Sequence, residues 1–159
     1  MIVVRDDSPI RSVSDLKGKR FAFGDKAALL QRAVVADAGI RLEEFKHYEF
    51  IGHYDNIVRA VMHGDFDAGI LKDTMANKWQ GKGIRILYAS PPLPPYNISV
   101  GKHTSDEMYD RLKTLFLNLN GTSVWHQEVI HSLDRDYTGF SATDDEEYKI
   151  VRELIQPFE

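Results

Sequence analysis

A chain of 159 residues has room for one domain with a real core, or for one lobe with an appendage. Its 43% hydrophobic and 28% charged residues are ordinary for a globular protein, and nothing in a formal net charge of -4 points to a nucleic-acid or anionic-membrane partner. The absence of cysteine excludes disulfide frameworks, thiolate zinc sites and thiol nucleophiles. No stretch reaches the ~18 apolar residues of a membrane span. Met1 runs straight into Ile2-Val3-Val4 without a signal-peptide pattern, so the expectation is a cytoplasmic chain or a trimmed piece of a longer one.

In chain order, strands are predicted over Ile2 to Arg5, Arg20 to Gly24, Lys46 to Ile51, Asp67 to Leu71, Ile84 to Ala89 and Asn97 to Gly101. Between them lie helical stretches. Ser14 caps a short turn ending at Gly18. Ala27 to Ala38 is rich in helix formers and stops at Gly39, and Asp55 opens a helix that Gly64 closes. A shorter helix spans about Thr74 to Gln80. This alternation implies an α/β fold with a mainly parallel sheet covered by helices on both faces.

The run Pro91 to Pro95 stiffens the chain and forbids helix, and the last third changes character after it. Capping boxes are predicted at Thr104 with Glu107 and at Thr143 with Glu146, flanking a middle helix over Ser123 to Leu133. The acidic run Asp144 to Glu147 suits a helix N-terminus. The expected organisation is an α/β ligand-binding lobe with hinge strands over residues 1–102 and a helical C-terminal segment over 103–159.

Chemistry is sparse. No nucleophile elbow, P-loop, dinucleotide-binding glycine motif or HExxH zinc motif is present. His126 and His131 are five residues apart, a poor spacing for a shared metal, and acidic neighbours such as Asp6-Asp7 point apart. No catalytic residue, metal site or cofactor is therefore expected. One rule still locates a site: in open α/β sheets, ligands sit beyond the carboxyl ends of the strands, where helix N-termini converge. The loops concerned hold Asp25, Lys26, Ala27 and Ala28; His53, Tyr54 and Asp55; Lys72, Asp73 and Thr74; and Ser90 through Tyr96. The expected ligand-binding set is Lys26, Ala28, His53, Tyr54, Lys72, Asp73 and Tyr96. Tyr54 would offer a flat surface, and Lys72 or Lys26 a counter-charge.

The same segments carry a family resemblance. IVVRDDSPIRSVSDLKGKRFAFGD resembles the hinge-strand entry into the second lobe of type-II periplasmic binding proteins. GHYDNIVRAVMHGDFDAGILKDT is similar to the helix, turn and Asp-Ala-Gly strand of the phosphonate-binding receptors of ABC transporters. ILYASPPLPPYNISVGK resembles their return across the hinge, and the collinear pieces span about residues 2 to 119. The resemblance implies a periplasmic or other extracytoplasmic solute receptor, with two lobes closing on a small anionic or zwitterionic ligand and an ABC permease as partner. The alternative is the ligand-sensing domain of a signalling protein such as a histidine kinase. Relatives carry a first lobe before the hinge strand, so the resemblance also implies a chain restricted to the second lobe and C-terminal helices. Leu112, Leu115, Leu119, Val124 and Trp125 would then lack cover and drive homodimer formation. The pocket itself departs from the family: Ala28, Leu29 and Leu30 stand where a Ser-Thr-Ser cluster holds phosphonate oxygens, Tyr54 at a histidine position, and Tyr96 at an aspartate.

Overall fold

The computed structural model describes residues 1–158. The chain divides into two compact units, Met1–Leu93 with Tyr148–Glu159, and Pro94–Glu147. The first unit is built on a five-stranded sheet: β1 (Ile2–Arg5), β2 (Arg20–Phe23), β3 (His47–Phe50), β4 (Ala68–Ile70) and β5 (Ile84–Tyr88). Their spatial order is β3-β2-β4-β1-β5. β2 pairs in parallel with both β3 and β4, setting Phe21 opposite Tyr48 and Ala68. β1 runs antiparallel to β4 and to β5, so β5 points the same way as β2, β3 and β4. The sheet is thus mainly parallel in direction, with one reversed strand inserted near its centre. The expected mainly parallel sheet is present, and the single reversed strand is β1.

Helices α1 (Leu29–Asp37), α2 (Tyr54–His63) and α3 (Asp73–Trp79) follow β2, β3 and β4. Side-chain alternation along the strands divides the core into two faces. On one, Ile2, Val4, Phe21, Phe23, Ala68 and Ile70 pack with Val34 and Val35 of α1, and with Leu16, Ile40 and Phe45. On the other, Val3, Ala22 and Ile84 pack with Ile57, Val58 and Val61 of α2 and with Ala76 of α3. β1 is buried on both sides, which explains why Ile2, Val3 and Val4 form an unbroken apolar run rather than an alternating one.

Several terminus predictions shift by a residue or two. The first turn, Val13–Leu16, is capped by Ser12 with Asp15 closing the box, not by Ser14. His53 rather than Asp55 stands at the N-cap of α2, although Gly64 does terminate it in the left-handed conformation, at φ 80°. At the opposite end of β2, Arg20 grips Asp67 through its backbone N–H (2.8 Å), Nε (3.2 Å) and Nη2 (2.9 Å), and Nη2 also donates to the Gly64 carbonyl (2.9 Å). The guanidinium hydrogen bonds hold the Asp67 carboxyl below its usual pKa. A depressed carboxyl stabilises the fold above the unfolded-state pKa and loses that contribution as pH falls through the folded value. Asp67→Asn should therefore melt below the wild type at neutral pH, and the gap should close as pH falls below about 4. Melting curves over pH 2 to 7 check this.

The second unit contains α4 (Asp106–Asn118) and α5 (Val124–Leu133). Ser105, not Thr104, caps α4, its hydroxyl accepting from the Met108 N–H; Ser123 caps α5 by accepting from His126. Asn97 to Gly101, expected as a strand, forms none. Near the C-terminus Thr143 makes no box with Glu146. Asp144 Oδ1 accepts from the N–H groups of Glu146 (3.0 Å) and Glu147 (3.3 Å), while Thr143 bonds the Glu147 carboxylate. There follow a turn over Glu146–Tyr148 and α6 (Lys149–Ile155), which packs on α1. Of the apolar residues expected to lack cover, Val124, Trp125 and Leu115 are exposed, whereas Leu119 is buried and Leu112 half-buried.

Candidate functional site

The directions of β2, β3 and β4 send the loops that follow them out at one edge of the sheet. The β2 and β3 exits are tied together: Ile51 N–H donates to the Phe23 carbonyl (2.9 Å), and Gly52 N–H to the Gly24 carbonyl (3.1 Å). β4 leaves at the same edge, where the Met1 nitrogen at the start of β1 donates to the Leu71 carbonyl (2.7 Å).

Each sequence-predicted residue can now be placed. Lys26 is exposed in the loop between β2 and α1, and half-buried Ala28 is the N-cap of α1. Asp25 shapes this loop, its side chain accepting from the Ala27 N–H (2.8 Å) and its carbonyl from Ala28 (3.0 Å). Ala28 has no side-chain oxygen, so nothing caps α1 from that position, and its first turn contains no acidic residue. The partial positive charge of that terminus is left uncompensated by the helix itself. His53 is the exposed N-cap of α2, and Tyr54 begins the helix, half-buried against the second core face. Lys72 is the half-buried N-cap of α3, and exposed Asp73 opens that helix, its Oδ1 accepting from the Thr74 N–H (2.8 Å). Unlike α1, α2 and α3 each carry an aspartate, Asp55 and Asp73, in the first turn.

Six of the seven residues therefore stand at the carboxyl ends of β2, β3 and β4. Tyr96 does not join them on this unit: it lies in the second one and is 76% exposed. Two side chains on α1 were missed by the sequence reading. Gln31 Oε1 accepts from the Gly24 N–H (2.8 Å), and Arg32 Nη2 reaches the Lys26 carbonyl (3.4 Å). Their only sequence signal is polarity in the first turn of an otherwise apolar helix.

The arrangement offers a helix N-terminus, a loop lysine, an arginine, an aromatic ring and an exposed carboxylate. That donor set suits a small anion or zwitterion. Among the described residues, no group of three or more His, Asp or Glu is placed to hold a metal. A cavity of about 200 Å3 lies at the amino edge instead, lined by Arg5, Ser8, Ile10, Arg20, Gly64 and Asp67. Arg20 bonds the Gly64 carbonyl at the end of α2, and Arg5 lies over the same glycine. These cations complement a helix C-terminus, whose partial negative charge disfavours an anionic guest.

Known proteins agree with this fold. The structure is similar to XAC2383 from Xanthomonas citri, solved bound to ATP, with TM-score 0.77 and 21% identity over 98% of this chain and 64% of that one. It is also similar to a binding protein component of an ABC phosphonate transporter, PA3383 from Pseudomonas aeruginosa, with TM-score 0.70 and 20% identity over 97% of this chain and 55% of that one. The chain thus spans less than two thirds of the length of these relatives. Residues 1–148 match the family described as ABC transporter, phosphonate, periplasmic substrate-binding protein, and the chain belongs to that family.

Proposed function

We propose that the chain is a ligand-binding lobe of an extracytoplasmic solute receptor, which captures a small anionic or zwitterionic molecule and presents it to an ABC permease. The observation that supports this reading is the shared direction of β2, β3 and β4, which sends the three loops bearing Lys26, Ala28, His53, Tyr54, Lys72 and Asp73 out at one sheet edge. The role is capture and release without chemistry, in keeping with the family. No helix among the described residues is long and apolar enough to cross a membrane. Exposed Val124 and Trp125 support self-association of the 159-residue chain, which light scattering over a concentration series reads directly.

A ligand that binds only the folded state raises the melting temperature by mass action. Inorganic phosphate, ATP and amino acids should be screened in this way. At least one of them is expected to stabilise the wild type, with the effect lost in Lys26→Glu and the unliganded midpoint unchanged, because Lys26 is exposed. A flat response across all three classes would sink the receptor reading.

Specificity should differ from that of phosphonate-binding members. Ala28, Leu29 and Leu30 offer no side-chain donor at the start of α1. Each missing hydrogen bond to a charged oxygen forfeits about 1.5–3 kcal/mol, so methylphosphonate should bind no tighter than micromolar. A submicromolar dissociation constant by calorimetry would contradict this.

A further inference from the structure

Gly24 and Gln31 form a junction that the loss of the hydroxyl cluster makes informative. Gly24 N–H donates to Gln31 Oε1 (2.8 Å), and the Gly24 carbonyl accepts from Gly52 N–H (3.1 Å), so one side-chain amide is fastened to the joined exits of β2 and β3. The approach is close: a Cβ on residue 24 would lie 2.7 Å from Gln31 Nε2, 3.2 Å from Oε1 and 3.1 Å from the Gly52 carbonyl, so a larger residue there would push the Gln31 amide aside. Because Gly24 presents a donor, the amide oxygen must face it, which fixes the orientation of the whole group. Nε2 is then left with two hydrogens and no acceptor among the described residues, and it is not sealed from solvent. A cation stands close by. Arg32 reaches the carbonyl of Lys26 in the same loop, and its own Nε is shielded from solvent without a partner.

We propose that Gln31 is a specificity-determining residue of the site, its Nε2 donating to an oxyanion oxygen of the ligand. The ligand class is one with terminal acceptor oxygens, phosphate or carboxylate. The donor is set in place before binding, because Oε1 is already committed to the fold. This assignment rests on the receptor reading above, and it places the side-chain donor one helical position beyond Leu30, the last of the three residues that lack one.

The test is a two-dimensional amide NMR titration of the 159-residue chain with inorganic phosphate, run on the wild type, Gln31→Glu and Gln31→Leu. The Gln31 side-chain NH2 pair is assigned by its loss in both variants. Phosphate should shift that pair together with the backbone amides of residues 26–31. Gln31→Glu keeps an oxygen for Gly24, so the Gly24 amide should stay near its wild-type position, while phosphate affinity falls roughly tenfold or more. Gln31→Leu should lose both the Gly24 shift and the affinity. If phosphate moves the backbone amides but leaves the Gln31 NH2 pair still, Gln31 is a brace only, and the receptor reading stands without it. If phosphate moves nothing at this edge, the anion site fails and the Gln31 assignment falls with it.

Discussion

Truncating Phe21 to alanine should destabilise the protein by about 3–5 kcal/mol, the usual cost of a large cavity in an aromatic core. Phe21 is fully buried in β2 and meets Phe23 and Phe45 at ring-centroid distances of 4.7 Å each. Phe23 continues the cluster to Phe50 (5.4 Å) and Tyr48 (5.9 Å) on β3. Removing the Phe21 ring therefore strips Phe23 and Phe45 of a shared neighbour, and Phe23 is the ring that carries the packing across to β3. Such a loss is a large share of the roughly 5–15 kcal/mol by which domains are stable. Urea unfolding should show a lower midpoint at an unchanged slope, and Phe21→Leu should recover much of the loss. A midpoint shift under 1 M for the alanine variant would mean that the cluster is looser than its geometry implies.

A second large effect is expected at Gly69, the middle residue of β4. It lies opposite Val3 on one side and Ala22 on the other, and a Cβ there would sit 2.4 Å from Ile57 Cγ2 and 3.2 Å from the Ala22 carbonyl. Ile57 is fully buried and its Cγ2 branches at the Cβ, so rotation offers little relief. Gly69→Ala should cost about 1–3 kcal/mol through overpacking, even though alanine is the better residue for chain entropy. The distinctive signature is non-additivity. Ile57→Ala destabilises by itself, but it deletes the clashing methyl, so the double variant should be more stable than the sum of the two losses predicts. Strict additivity in thermal unfolding would remove Ile57 as the cause. Because α2 begins with His53 and Tyr54, displacement of this helix by Gly69→Ala should also reduce ligand-induced stabilisation.

What the sequence by itself determined follows from local physics. The alternation of short apolar strands with amphipathic helices sets the α/β class, and Gly39 and Gly64 mark helix ends because left-handed backbone suits glycine. The candidate edge was also legible, since chain direction alone carries Lys26, His53, Tyr54, Lys72 and Asp73 to the carboxyl ends of parallel strands. What only the tertiary structure decided depends on partners distant in sequence. β1 enters the sheet between β4 and β5, pairing Ile2 with Ile70 and Val3 with Ile86, and no local pattern states that direction. Asn97 to Gly101 has a strand-like composition but no neighbouring ladder to join, and an isolated strand has no hydrogen bonds to hold it. Ser105 takes the cap that Thr104 could equally have supplied, because capping depends on which residue holds extended backbone at the helix entrance. Gln31 reads as an unremarkable helix residue until the fold brings Gly24 and Gly52 together beneath it; its role arises from a junction between two strands, which exists only once the sheet has formed.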